Sequence, residues 1–544
     1  MTSNTPVPSS TPPEPTRRAH IGPYVLESLT TGMYGEPRHT IREYVQNAFD
    51  AIEAARDSET LQKDEGLVVI TVDKTKNSIS IKDNGSGIRS ENAWSTLSAI
   101  GASAKERSER AGFRGIGRLA GLAYCDKLKF ITKHRTDVRE TTISFDCVRL
   151  RKEMDPAERS QTDIQTLLTE TVKDTYRTVP ESEKALHYTE VVLEGVDLAP
   201  DEMKDIEKLS SYLSQTAPVK FYPKLWSHEQ EIANYAAEFG KPIKTIDLIV
   251  RQMDFADPGD PDPEGEISTK EFEIFKPYRN HHTPKGKKEP VAVSGVTLLA
   301  DESGENKWWG WIGDMPTVAT LNDTDAAGLR VRSKNIQIDG TDIMERLFAE
   351  SRVSYARFNK WFIGEFHILS DDVVPNARRD GFEENDAWRG VQGEFVPILL
   401  GLTKRTYKAS KVRNERYKRF KRSADAITDT VETRLTLPAG VDGGNDQSLL
   451  LHIDEIYLEI SAEISKDITN DEDTRALKLM LAAVNESRRR LHRQLAARAG
   501  SDVIRERTGT EERILRVVWS VMQEMIDPVL YKEARHEIER RLAL

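Results

Sequence analysis

The sequence predicts an α/β protein with a helical C-terminal region. Three observations carry this. Polar and apolar residues alternate over 68–81 and again over 365–369, the period of half-buried strands. Over 40–52 apolar residues recur at helical spacing, with Ile41, Tyr44, Val45, Ala48, Phe49 and Ile52 on one side. Beyond residue 386 the helical pattern is nearly unbroken.

The elements follow in chain order. Residues 1–18 are rich in Pro, Ser and Thr without apolar periodicity, so a disordered tail is expected. The helix at 40–52 carries Glu43, Asn47 and Asp50 at i, i+4 and i+7, so the three share one face. A carboxylate there can polarise a water, and an amide oxygen can ligate Mg²⁺; a solvated helix face has the same composition. Two strands with a turn at 74–77 end at Asp83, followed by Asn84-Gly85-Ser86-Gly87. Gly85 and Gly87 let a flat ligand approach closely, and they also suit an ordinary turn. Gly112, Gly115 and Gly117 read as a loop opening a helix, where free N–H groups form a phosphate site; a plain flexible loop reads the same way. Thr189 sits in a strand at 188–193.

Pro200, Asp201 and Glu202 cap a helix running to Leu213. Further strands are expected at 243–250, 291–299 and 329–332, separated by a long exposed loop at 254–288 rich in Asp, Pro and Gly. His281 and His282 in that loop have no partners at metal-ligand spacing, so they read as solvated. Helices are expected at 449–468, 471–498 and 509–542, with a linker near 436–447. The segment 404–422 is basic and interleaved with Tyr407, Tyr417 and Phe420. It is a candidate nucleic-acid contact, or a helix with a solvated charged face. Ile514, Val517, Val518, Val521, Met522, Met525 and Ile526 form an apolar stripe suited to an internal core or a dimer interface.

Composition narrows the class. With 544 residues, 38% hydrophobic and 31% charged, the chain has material for about three domains with real cores. A net charge of −11 argues against a protein that binds nucleic acid over its whole surface. Cys125 and Cys147 are the only cysteines, too few for a disulfide framework or a structural zinc site, and both are expected to pack in the first domain. No apolar run reaches membrane-spanning length and no signal peptide is seen, so a cytoplasmic protein without membrane contact is expected.

Taken together, the segments around Glu43, Asp83 and Gly112 resemble the GHKL ATPase superfamily of DNA gyrase, heat-shock-ninety chaperones, histidine kinases and MutL. The resemblance implies an N-terminal Bergerat α/β sandwich over 19–214, with helices on one face of a mostly antiparallel sheet. It implies a second α/β middle, or transducer, domain over 215–385, before the helical region 386–544. It also implies ATP and Mg²⁺ as cofactors. Glu43 matches the general base, Asn47 the Mg²⁺ ligand, and Asp83 the acceptor of the adenine amino group. Asp50 shares their face of the helix. Gly85 and Gly87 match the glycines beneath the purine. Gly112, Gly115 and Gly117 match the hinge of a lid over the phosphates. Thr189 matches the threonine closing the adenine pocket, or is an ordinary strand threonine.

The heat-shock-ninety branch is the nearest. Residues 28–37 resemble a helix that precedes the first motif there, and Ser103 and Lys105 resemble its lid entry. Asn376-Ala377-Arg378-Arg379-Asp380 resembles the loop that delivers an arginine to the γ-phosphate, although Pro375 stands one residue closer to the Asn than in that branch. Arg379 is the first candidate and Arg378 the second; a guanidinium suits the role because it stays charged and forks onto phosphate oxygens. The resemblance implies a homodimeric molecular clamp that hydrolyses ATP slowly and acts on a protein client or partner. Family analogy extends to bacterial defence systems. The alternatives are a DNA-handling clamp like MutL or the microrchidia ATPases, and a sensor-type histidine kinase. Against the kinase, no phosphoacceptor helix precedes the nucleotide domain.

Overall fold

The computed structural model describes residues 22–24, 27, 36–99, 117–158, 162–255, 267–286, 288–315, 319–350, 352–436, 446–465 and 471–499, and positions 518, 519, 522, 531 and 535. Helix α1 (Arg38–Asp57) forms where the helical spacing predicted it. Its apolar side, from Ile41 to Ile52, is buried. Pro37 leads into it at φ −56°, an angle the proline ring favours. It ends where Ser58 N–H donates back to Ala54 O and Glu59 turns left-handed at φ 55°.

Behind α1 lies an eight-stranded sheet of β1 (Leu67–Asp73), β2 (Ser78–Asp83), β3 (Lys127–Lys133), β4 (Arg139–Asp146), β5 (Val172–Thr178), β6 (Tyr188–Glu194), β7 (Asp247–Phe255) and β8 (Ile267–Glu273), in the order β5-β4-β3-β6-β2-β1-β7-β8. The β1–β2 hairpin turns at 74–77 as expected, closing on the pair Asp73 and Ser78. Neighbours are antiparallel except β1 and β7, which are parallel. Cys125 and Cys147 lie in this core as free thiols with Sγ atoms 3.8 Å apart.

Several expectations change here. The strand expected at 243–250 runs from Asp247 to Phe255 and joins the first sheet, not the second. Val68 faces Leu248 and Ile70 faces Val250, so one apolar core claims all four. Alternation marks a strand but does not say which edge it pairs with. The helix expected from 201 to Leu213 is broken at Asp205, whose carboxylate accepts from the N–H of Glu207 and Lys208 and starts α2 (Ile206–Thr216) afresh. The expected loop at 254–288 contains β8 and β9 (His281–His282), and β9 pairs with β10 (Val291–Ala292). His282 is therefore buried rather than solvated, with Nδ1 3.4 Å from Asp323. The strand expected at 291–299 is two, interrupted at 293–294.

The second sheet has the order β11-β12-β15-β13-β14, from β11 (Gly295–Ala300), β12 (Trp308–Asp314), β13 (Gly328–Ser333), β14 (Ile336–Ile338) and β15 (Ile363–Ile368). Trp308, Leu329 and Phe366 pack in one core with Trp388, Val391, Phe395 and Leu399 from the start of the long helix Asp386–Thr436.

The remaining helices form a unit of their own. Phe420, Ile427 and Val431 pack with Ile453, Ile456 and Ile460 of the helix Asp446–Ser465, and with Leu477, Val484 and Leu491 of the helix Asp471–Ala499. Two cations of the basic segment are spent inside this unit: Arg416 pairs with Glu463 at 3.4 Å and Arg419 with Glu459 at 2.8 Å. Lys418, Lys421 and Arg422 are exposed. Most of the expected linker, and the helix expected at 509–542 but for a few positions, lie outside the described residues. Among the described residues no helix is long and apolar enough to cross a membrane.

Candidate active site

One face of α1 gathers the polar residues singled out by their spacing. Glu43 and Asp50 are buried and Asn47 is half-buried, so this is not a solvated face. Burying carboxylates is costly unless they are paired. Glu43 Oε1 lies 3.5 Å from Arg42 Nη2 and 3.6 Å from Arg379 Nε. Arg379 arrives from a loop after β15, closed by Asn376 N–H donating to Gly381 O at 3.0 Å and Arg379 N–H to Asn376 O at 3.2 Å. The loop is also tied to the end of β14, where Asp339 N–H donates to Arg379 O at 2.8 Å. Arg379 is buried with φ 57°, whereas the Arg378 side chain is exposed and offers its carbonyl to Arg42 Nη2 at 3.2 Å.

Asp83 sits at the far end, the last residue of β2. Its Oδ1 accepts from Gly85 N–H at 2.8 Å and from Thr189 N–H at 3.3 Å. Thr189 faces Asp83 across the β2–β6 pair, and Thr132 faces Thr189 across β3–β6 with the hydroxyls 3.2 Å apart. The glycines have a reason internal to the fold. A Cβ on Gly85 would come within 2.6 Å of the Ala51 carbonyl carbon on α1. One on Gly87, at φ 63°, would lie 2.0 Å from Lys133 O. The turn thus lies flush against both α1 and β3.

Gly117 opens a short 3₁₀ segment, Gly117–Ala123, held to α1 by Tyr44, whose hydroxyl donates to Arg118 O at 3.1 Å and accepts from Gly121 N–H at 2.9 Å. Ser103, Lys105, Gly112 and Gly115 lie outside the described residues.

Sequence reasoning missed several groups. Thr132 is fully buried and accepts from Ile88 N–H at 2.9 Å. A His187 ring nitrogen lies 2.8 Å from Gly85 O. Lys133 is buried with its ammonium on Lys184 O and Leu186 O, both at 2.7 Å. A lone Thr or Lys in a strand carries no signal until the register aligns it with Asp83. Lys334 is the fourth. It occupies a tight turn between β13 and β14, where it and Asn335 are left-handed at φ 51° and 60°. Burial holds its ammonium below its usual pKa, while Asp50 and Asp371 pull the other way. The turn-forming pair Lys334-Asn335 was the available clue.

The donor set fits a magnesium nucleotide. Among the described residues no group of three or more His, Cys, Asp or Glu could hold a metal. A cation here would rest on the Asn47 amide oxygen, with phosphate and water oxygens completing a hard, oxygen-only shell. Beside that face the Gln46 amide is buried with neither atom hydrogen-bonded, which suits a polar occupant.

Residues 36–176 match the family described as histidine kinase-, DNA gyrase B-, and HSP90-like ATPase. The N-terminal domain is thus a GHKL ATPase domain. The chaperone protein HtpG of Halalkalibacterium halodurans is 26% identical over 125 residues, 20% of each chain, so the match spans about a fifth of that relative. Over the matched residues, the chain is similar to the heat-shock-ninety-like branch.

Proposed function

We propose that the chain is a Mg²⁺-dependent ATPase working as a molecular clamp, in the manner of a heat-shock-ninety-type chaperone. The observation that carries this reading is the buried pairing of Glu43 on α1 with Arg379 from the loop after β15. A general base and a phosphate-stabilising cation carried on elements far apart in the chain give hydrolysis that depends on how those elements sit, and so on conformation. In this reading Asp83 accepts from the adenine amino group, with Thr189 beside it. Glu43 orients the attacking water, and Arg379 stabilises charge developing on the transferred phosphoryl group. Mg²⁺, held by Asn47 and the phosphates, would offset charge on the nucleotide.

The test is calorimetry with Mg-ATP and a phosphate-release assay on the full chain. Asp83→Asn still accepts from the Gly85 and Thr189 amides, yet loses the charged acceptor for adenine. A charged hydrogen bond is worth about 1.5–3 kcal/mol, so ATP affinity should fall roughly 10- to 100-fold. Unchanged affinity would remove Asp83 from the site. The clamp further requires two copies, held by the apolar stripe at 514–526 and acting on a protein client in the cytoplasm. Light scattering should report a dimer in the full chain and a monomer once 509–544 is removed, with slower turnover as tethering is lost. A full chain that stays monomeric with and without a non-hydrolysable ATP analogue rejects the clamp. A DNA-handling clamp is the second reading, favoured by exposed Lys418, Lys421 and Arg422. It requires DNA binding that weakens with salt and responds to ATP.

A further inference from the structure

The second sheet contains a carboxylate with no exposure at all, Glu365 on β15. It accepts from Arg332 Nε at 2.5 Å, from Lys276 Nζ at 2.8 Å on each oxygen, and from the Tyr278 hydroxyl at 3.1 Å. His367 Nε2 lies 3.2 Å away, its ring stacked on Trp309 at 4.3 Å between centroids. The Arg332 and Lys276 side chains are as fully buried as Glu365 itself. A buried ion cluster is a poor way to gain stability, and its best-attested use is to hold one arrangement against others.

What this cluster holds is visible in its outward bonds. Arg332 donates Nη2 to Gln215 O at 2.7 Å, near the end of α2. It donates Nη1 to Asn335 O at 2.9 Å. Lys276 donates to Asn335 Oδ1 at 3.1 Å, and Asn335 Nδ2 donates to Lys244 O at 2.9 Å. Lys244 in turn pairs its ammonium with Glu53 on α1. Asn335 is the neighbour of Lys334 and leads into β14, just past which Asp339 N–H donates to Arg379 O at 2.8 Å. From one carboxylate, bonds therefore run to the end of α2, to the cation-bearing turn and on to α1.

We propose that Glu365 is a positioning residue for ATP hydrolysis: through Arg332, Lys276 and Asn335 it sets the turn at 334–335 against α1, and so fixes how Arg379 meets Glu43. This rests on the ATPase reading above. Glu365 touches no substrate; it acts through geometry, and displacement by about 1 Å can cost on the order of a hundredfold in rate.

Two variants of the full chain test it. Glu365→Gln removes the charge at constant shape. Asn335→Gly keeps the left-handed backbone and the carbonyl bond to Arg332, and loses only the side-chain bonds to Lys276 and Lys244. ATP affinity by calorimetry should stay within about twofold in both, while kcat falls at least about tenfold. In an Arg379→Ala background Asn335→Gly should cost little more, because it acts through Arg379. If Glu365→Gln does not fold, Asn335→Gly decides alone. A lower unfolding temperature with unchanged kcat would mean a purely structural cluster and overturn the proposal, as would full additivity with Arg379→Ala. Wild-type turnover with unaffected variants rejects this inference alone; a wild-type chain that never hydrolyses ATP removes the reading beneath it.

Discussion

Glu43→Ala is expected to bind ATP and to lose turnover by on the order of 10²- to 10⁴-fold, the usual contribution of a positioned general base. The structure adds a sign to the binding half. Glu43 is the carboxylate beside both Arg42 and Arg379. Removing it takes a negative charge from beside both guanidiniums, so in the proposed site ATP affinity should hold or rise. The same change takes one carboxylate from beside Arg379 in the nucleotide-free chain, and breaking a buried pair costs up to about 3–5 kcal/mol. The unfolding temperature should therefore drop without ATP and recover with it. Glu43→Gln separates the effects, because it keeps the shape and an acceptor but not the basicity. Phosphate release, calorimetry and thermal unfolding on the three chains check this. Normal turnover in either variant would remove Glu43 as the base.

Arg379→Ala should lower kcat by on the order of 10²- to 10³-fold with little change in ATP affinity, as for a group used mainly in the transition state. Arg379→Lys should not restore the rate, since an ammonium lacks the fork and the Nε that meets Glu43. Arg378→Ala is the control. Its side chain is exposed, and its link to Arg42 runs through the backbone carbonyl, which alanine keeps. A larger loss in Arg378→Ala would shift the role by one residue.

How much was legible follows from which forces are local. The face of α1 could be read because helical periodicity is written in neighbouring residues, and burial of Ile41, Tyr44 and Phe49 fixes which way Glu43 and Asp50 turn. The Asp83 turn was legible for the same reason. Thr132 was not, because its meaning comes from the register of β3 against β6. His282 was misread because a run of Asp, Pro and Gly looks solvated, although the chain beyond it folds back into a short strand pair. The Glu365 cluster was invisible because its partners, from Gln215 to Asn335, come together only in the folded chain.

The parallel pairing of β1 with β7 bears on where the molecule can be cut. A boundary at 214 looks natural in the sequence, yet a fragment ending there lacks β7 and β8. The outer edge of β1 would then present a row of open amides and carbonyls, an invitation to intermolecular strand pairing. Leu248 and Val250, each worth about 1.5–3 kcal/mol of burial, would be gone from over Val68 and Ile70. Such a fragment is an aggregation hazard whatever its nucleotide chemistry. A soluble nucleotide-binding piece has to carry the chain through Glu273, beyond the point where the first domain seems to stop.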